Sequence, residues 1–588
     1  MADLSYDVVV VGASLGGVAA ALRAGAMGAS VCVLEPTQWV GGQFTSQGVC
    51  KPDENKYVDS VGSTAAYRDF HHQCRAHYRN NYKLSPTGAN QPLFNAGGSY
   101  NAAQPLFAVE PKAADAVLKA MLSSAATVHL RLGTTVTSAQ VSGDAIESVT
   151  ATGPNDDQNR FIAKMFLDAT DLGDLLPLVL NPSEWVVGAE AASDTHEPGA
   201  PAEPHPEWIQ PITFCIALEH RPGGNYTIPK PPEYDELKAE QKYTLADGAI
   251  TTMFANDWTT TQWNYRRYID VRNFADPAFP YDLTTINTGS NDYQKASIPT
   301  GSAAQDAAIV ARARQAALGY LYWLQTECPR DNEPGQHGYP ELRPNPAAFG
   351  TGDGVAQYPY IRESRRIRAL NRVVMQDIWQ QGNPGPRAPK NFVDSCGIGL
   401  YAFMDGHQLT GGQDPPLMEG FWINIYPAQI PAGALVPQRL TNLLAACKNL
   451  GTTHYTSGLY RLHPIEWNVG ESAGALAAFC LTNNVSTHDA VTQQHALRGY
   501  QRQLLTAGIP LFWWTDVPFG DPLFGATQLA GVTGMMGGDG NPQMKFNAGD
   551  PLGDAGRASL EEQTGVSLPT NIVSRGDAAQ WLFTQGYT

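Results

Sequence analysis

Glycines at positions 12, 16 and 17 follow four consecutive valines at 8–11, and an alanine-rich stretch follows the glycines. The β-branched run suits a strand buried on both faces, and Gly12 permits a tight turn out of it. The alanines then read as a helix whose free N–H groups and positive dipole end face a phosphate. Gly16 lies in the turn, and Gly17 lets helix and strand pack closely. Glu35, at the end of the next apolar run, is placed to accept hydrogen bonds from a ribose hydroxyl pair and to repel a 2′-phosphate. Strand, glycine turn, helix and acid in this order make a dinucleotide fingerprint. Ser14 replaces its middle glycine, which narrows the backbone's approach to phosphate without forbidding it. Gly41 and Gly42, with Gln43 after them, offer a second close backbone approach.

Two further stretches complete the picture. FLDATDLGDLLPL at 166–178 is a strand ending in Asp168, Ala169 and Thr170, followed by a small-residue turn, with Asp174, into a helix. NLLAACKNLGTTHYTSGLYRLHPIEWNVGESAGALAAFCL at 442–481 is a strand, a turn bearing His and Arg, and an alanine-rich helix. Gly470, Glu471 and Gly474 are read as the opening of that helix, whose positive end suits an anionic group, and Asn468 is assigned to the same cofactor-binding set. Val136, on a strand of the same region, is also assigned to cofactor binding.

With these pieces the chain resembles the FAD-dependent oxidoreductases of the glutathione-reductase superfamily, whose members often carry a "xanthan lyase" label. The resemblance returns in IRESRRIRAL at 361–370, DSCGIGLYAFMDGH at 394–407, AQIPAGALVPQRLTNLLAACKNLGTTH at 428–454 and RLHPIEWNVGESAG at 461–474. Asp171 departs from the family's usual glycine after Ala-Thr, as Ser14 does in the fingerprint. The resemblance implies FAD as cofactor and redox chemistry, and it leaves the substrate open.

His454, His407 and His463 are the general acid/base candidates, since imidazole titrates near neutrality. Each also has an ordinary reading as a hydrogen-bonded structural histidine. Arg461 has two readings, a positive charge near the flavin or its phosphates and a structural ion pair. Arg362 and Arg365, with Arg366, suit bidentate binding of an anionic substrate group or pairing with neighbouring acids. Cys50 and the pair His71 and His72 are side chains of the kind that tether flavins in some oxidases. Trp208, Trp258, Trp263 and Tyr265 are expected either to contact substrate or to form the core of a cap.

The 588 residues, 43% hydrophobic, allow two or three domains. The expected fold class is α/β: a Rossmann-type FAD-binding domain with an inserted β layer (1–181 and 395–490), an α+β substrate or cap domain (182–394), and a small C-terminal helical region (491–588). A net charge of −17 argues against nucleic acid and anionic membrane as partners and for a small molecule. Eight cysteines without a CxxC pair argue against a zinc or iron–sulfur site and for a reducing, cytoplasmic setting. No metal is expected, and the oligomeric state is left open. No Lys or Arg precedes Arg23, which argues against a signal peptide or anchor.

Other glycine strings, GTGDGV at 350–355 and GIGLY at 397–401, lack a fingerprint's context, so no second nucleotide domain is expected. The leading functional reading is oxidation of a small organic substrate by hydride transfer to flavin N5, with electrons passed to oxygen or a separate carrier. The alternatives are a flavin-dependent double-bond reductase or monooxygenase, and a non-catalytic, FAD-stabilised partner-binding protein.

Overall fold

The computed structural model describes residues 2–98, 107–246, 250–254, 260–380, 385–407, 409, 423–537 and 543–588. Its first unit is a βαβ: strand β1 (Ala2–Val11), helix α1 (Leu15–Ala26) and strand β2 (Val31–Glu35). Helix α2 (Ala65–Asn81) and helix α3 (Pro111–Ser124) precede strands β3 (Val128–Leu132), β4 (Thr135–Ser142), β5 (Ala145–Thr152) and β6 (Gln158–Asp168). Far along the chain come strand β7 (Leu443–Ala445) and helix α4 (His463–Asn483).

Strands β3, β2, β1, β6 and β7 pair in parallel in that order. The long β6 has two partners on one side: β5 runs antiparallel to its first half, and β7 runs parallel to its end. Strands β4 and β5, expected as an inserted layer, are thereby joined to one seven-stranded sheet. Valines 8–11 are buried because helices cover the strand, as their β-branched run requires. The register sets Val11 beside Leu34 and Asp168, and Asp168 beside Ala445. The residues that follow these strands therefore meet at one carboxyl edge, where open parallel sheets bind ligands.

A second cluster of buried side chains spans residues 172–361. It packs around a four-stranded antiparallel sheet and the helix Ala303–Thr326. That helix buries Ala313, Ala316, Ala317, Tyr320, Leu321 and Leu324, a stripe at helical spacing. Near the C-terminus, helices form at Gly553–Thr564 and Arg575–Gln585. Ser574 opens the second of these with a capping box completed by Asp577.

Candidate functional site

The fingerprint turn has the backbone that its glycines require. Gly12 adopts φ of 92°, and a Cβ there would press on the Ala169 carbonyl at 2.6 Å. Ser14 caps α1, its hydroxyl accepting the Gly17 N–H at 3.2 Å. Gly41 and Gly42 lead into a 3-10 turn, Gly42–Phe44, that passes the same edge. Glu35 is buried, and burial pushes its carboxyl up. One of its oxygens accepts the Ala13 N–H at 2.8 Å, and the other accepts the Thr37 N–H at 2.9 Å and hydroxyl at 2.7 Å. A carboxylate offers about four lone-pair sites, so capacity for a ribose remains. Replacement by alanine should weaken FAD retention by about 1.5 to 3 kcal/mol, read as a rise in Kd.

At the end of β6, Ala169 is buried and its N–H donates to Val11 at 2.7 Å. Thr170 donates to Asp168 through N–H at 3.0 Å and hydroxyl at 2.7 Å, and its hydroxyl accepts the Asp174 N–H at 2.6 Å. Burial pushes Asp168 up to about 7. Asp174 pairs with Arg365 at 3.0 Å. Val136 pairs with Ala151 within the sheet.

The N-terminus of α4 differs from expectation. The helix starts at His463 with Pro464 in its first turn, so Asn468, Gly470, Glu471 and Gly474 lie well inside it. A Cβ on Gly470 would overlap the Gly16 carbonyl, and one on Gly474 the Ala20 carbonyl. These glycines are the crossing point of α4 with α1. Asn468 accepts the Ile398 N–H at 3.1 Å, and Glu471 accepts from Arg23 Nε at 3.0 Å and Trp467 Nε1 at 3.1 Å. Their side chains join helices and strands of the scaffold. Glu466, in the true first turn, sits against the fingerprint instead, accepting the Gly16 N–H at 3.1 Å.

Gln43 supplies the test of fit for a bound cofactor. Its amide donates to the Arg461 carbonyl at 2.9 Å and to Glu466, while its Oε1 is buried without a hydrogen-bond partner. An acceptor left open beside a glycine-opened helix, at the carboxyl edge of a parallel sheet, fits a group with both N–H donors and phosphates, as FAD has.

Beyond Gln43 lies a buried charged network. Arg461 donates to the Asp405 carboxylate at 2.7 Å and to the Tyr360 hydroxyl at 2.5 Å. His407 has Nδ1 2.9 Å from Asp292 and Nε2 3.4 Å from Asp405. Burial and Arg362 pull its pKa down, but the two carboxylates more than offset them and leave it raised. Arg362 pairs with the same Asp292 at 3.0 Å. Arg366 pairs with Glu190 at 3.0 Å and with Glu363, so all three arginines of IRESRRIRAL proposed for substrate have carboxylate partners in the chain.

The histidines divide by their partners. His463 has Nε2 3.0 Å from the Val49 carbonyl, while its Nδ1 accepts the Asp53 N–H at 3.3 Å. Both ring nitrogens serve the backbone, and burial holds its pKa well below the ordinary range. His454 is buried, with Nδ1 2.9 and 3.0 Å from the two oxygens of Glu363. Gln210 links the two regions, donating from its backbone N–H to Glu363 at 3.0 Å and accepting the His407 N–H at 3.2 Å.

Cys50, His71 and Trp263 sit in packed interior. Cys50 is buried and its thiol is pushed up by burial, and all eight cysteines are free. His72 is exposed. His71 is buried between Glu54 at 2.9 Å and Asp59 at 3.1 Å and stacks on Phe107. Burial opposes its charge, but the two acids raise its pKa above 6.5. A raised folded value stabilises the fold fully below the unfolded pKa, and that contribution is lost as pH climbs through the folded one. Melting temperature should therefore fall across this window, and His71→Gln should flatten the fall.

Trp208 stacks on His205, Trp263 lies in the second core, and the Tyr265 hydroxyl accepts from Arg266 at 3.2 Å. Trp258 lies outside the described residues. Sequence reasoning passed over Glu363, Asp405, Asp292 and Tyr360. The first two stand inside segments quoted for the resemblance, within two residues of a candidate Arg or His.

No helix among the described residues is long and apolar enough to cross a membrane. Among curated proteins none matches the sequence. The chain is similar to the myxobacterial chondrochloren halogenase CndH at 9% identity, over 85% of this chain and 79% of that one, with a TM-score of 0.32. It is similar to a geranylgeranyl bacteriochlorophyll reductase-like protein of Thermoplasma acidophilum at 10% identity over 91% of each chain, TM-score 0.31. Sdh1 of Mycobacterium smegmatis in complex with UQ1 aligns at 14% identity over 29% of this chain, TM-score 0.21, and only 34% of the length of that relative is covered. Likenesses this weak say nothing of reaction or substrate. The model of the FAD dependent oxidoreductase family, however, matches residues 7–504, and the chain belongs to that family as an enzyme whose cofactor is FAD.

Proposed function

We propose that this enzyme oxidises a small organic substrate, with His454 as the base that takes the substrate proton. FAD held at the fingerprint turn would supply the two-electron acceptor for the substrate's hydride, at N5, with oxygen or a separate carrier as the final acceptor. The carrying observation is the pair of His454 and Glu363. A carboxylate only accepts hydrogen bonds, so in the neutral imidazole Nδ1 holds the hydrogen and Nε2 the basic lone pair. Burial disfavours the Glu363 anion, but His454 and Arg366 hold its carboxyl below the usual range, so the orienting charge persists. A base steered by a second group is the recurring device for moving a proton at neutral pH. Arg461 and the residues around it then form the polar wall facing the substrate.

His407 favours a second reading. An imidazole held between Asp292 and Asp405 with a raised pKa is a proton donor, as reduction of an activated double bond requires. We place the chain in the glutathione-reductase superfamily, with residues 1–181 and 395–490 holding FAD, 182–394 covering the substrate, and 491–588 packing as a helical subdomain. A cytoplasmic location follows from the cysteine usage. Anaerobic screening of metabolites for loss of flavin absorbance tests the oxidative reading. Turnover only with NADPH and an unsaturated acceptor would replace it by the reductive one.

A further inference from the structure

Charged side chains converge beside the glycine turn that opens α1. Lys448, just past β7, places Nζ 2.5 Å from Asp171 and 3.3 Å from Glu466. Lys448 and Glu466 are 2% and 0% exposed, and Asp171, just past β6, is 19% exposed. Burial would lower the lysine's pKa, but Asp171, Cys447 and Glu466 hold it well above the ordinary range. Glu466 takes the Gly16 N–H, one of the donors that a fingerprint turn offers to a pyrophosphate. Asp171 lies across the turn, so near Gly42 that a Cβ there would sit 3.2 Å from its carboxylate and 3.2 Å from Ser14 Cα. Its charge also adds to the burial that raises Glu35. The Gln43 amide that donates to Glu466 has its other atom, Oε1, buried and without a partner.

Three carboxylates and one ammonium thus surround a turn built to receive a dianion. We propose that Asp171 and Glu466 compete with the pyrophosphate of FAD for Lys448 and for the N–H groups of α1, so that the chain's own carboxylates set how tightly the cofactor is held. This rests on the placement of FAD at the fingerprint turn. Lys448 is then a phosphate ligand shared with two acids, where a purely structural lysine would serve the acids alone.

Flavin fluorescence quenching measures FAD affinity in the parent chain, Asp171→Asn, Lys448→Met and the charge-balanced double variant, with ADP and adenosine as competing probes. Asp171→Asn should tighten FAD and ADP about tenfold and leave adenosine unchanged, since a lost charge pair of about 1.4 kcal/mol is tenfold in Kd. The double variant should bind FAD at least about tenfold more weakly than Asp171→Asn alone, because the phosphate has lost its cation. Equal affinities in those two variants, or equal gains for ADP and adenosine, overturn the proposal alone. Failure of FAD and ADP to bind any of the four chains overturns the cofactor's placement and the proposal with it.

Discussion

A His454→Asn variant should keep its FAD and lose rate in the reductive half-reaction by about 10²- to 10⁴-fold, the range that an imidazole base contributes. Asparagine removes the basic nitrogen while keeping a polar amide of similar reach toward Glu363. Stopped-flow reduction of the flavin under anaerobic conditions reads the step directly, and the flavin spectrum reports whether FAD stays bound. His407→Asn is the internal control. If reduction is unchanged in the His454 variant but lost in the His407 variant, the base is His407, in the Asp405 and Asp292 site. If neither variant slows, both histidines are structural. Glu363→Gln should mimic the His454 change more weakly, because the amide orients the ring without stabilising its charge.

The second large effect falls on the scaffold. Gly470→Val should release FAD and lower stability by about 1 to 3 kcal/mol, the usual cost of overpacking a close-packed interior. A Cβ on Gly470 overlaps the Gly16 carbonyl, so α4 must move from α1 at the place where α1 begins. Gly16 N–H holds Glu466, and Gln43 holds both Glu466 and the Arg461 carbonyl, so that displacement propagates through the whole cofactor edge. Thermal unfolding and flavin content measured on one preparation check both parts. Unaltered FAD content with lowered stability would show that the crossing supports the fold without positioning the site.

The parts that could be read from sequence were local. Four valines, a glycine turn and Glu35 announced the first βαβ unit, because each rests on neighbours a few residues away. The start of α4 was harder, since Gly470 and Gly474 look like a helix opening although Pro464 marks the real first turn. Small residues at a helix crossing and small residues at a phosphate site have the same composition. The charged network was hidden for a different reason. Arg362 finds Asp292 70 residues away, and His407 finds the same acid from 115 residues away. Such pairings follow from the fold, and an isolated aspartate in a loop carries no sign of them.

Counting flavin in the purified chain tests the central claim most directly. Heat-released cofactor, separated by chromatography and quantified against protein, should be FAD at one per chain, and a Gly16→Val variant should carry almost none. Stoichiometric FAD in that variant, or a parent chain that binds no flavin, would contradict the assignment of this turn and of the chemistry built on it.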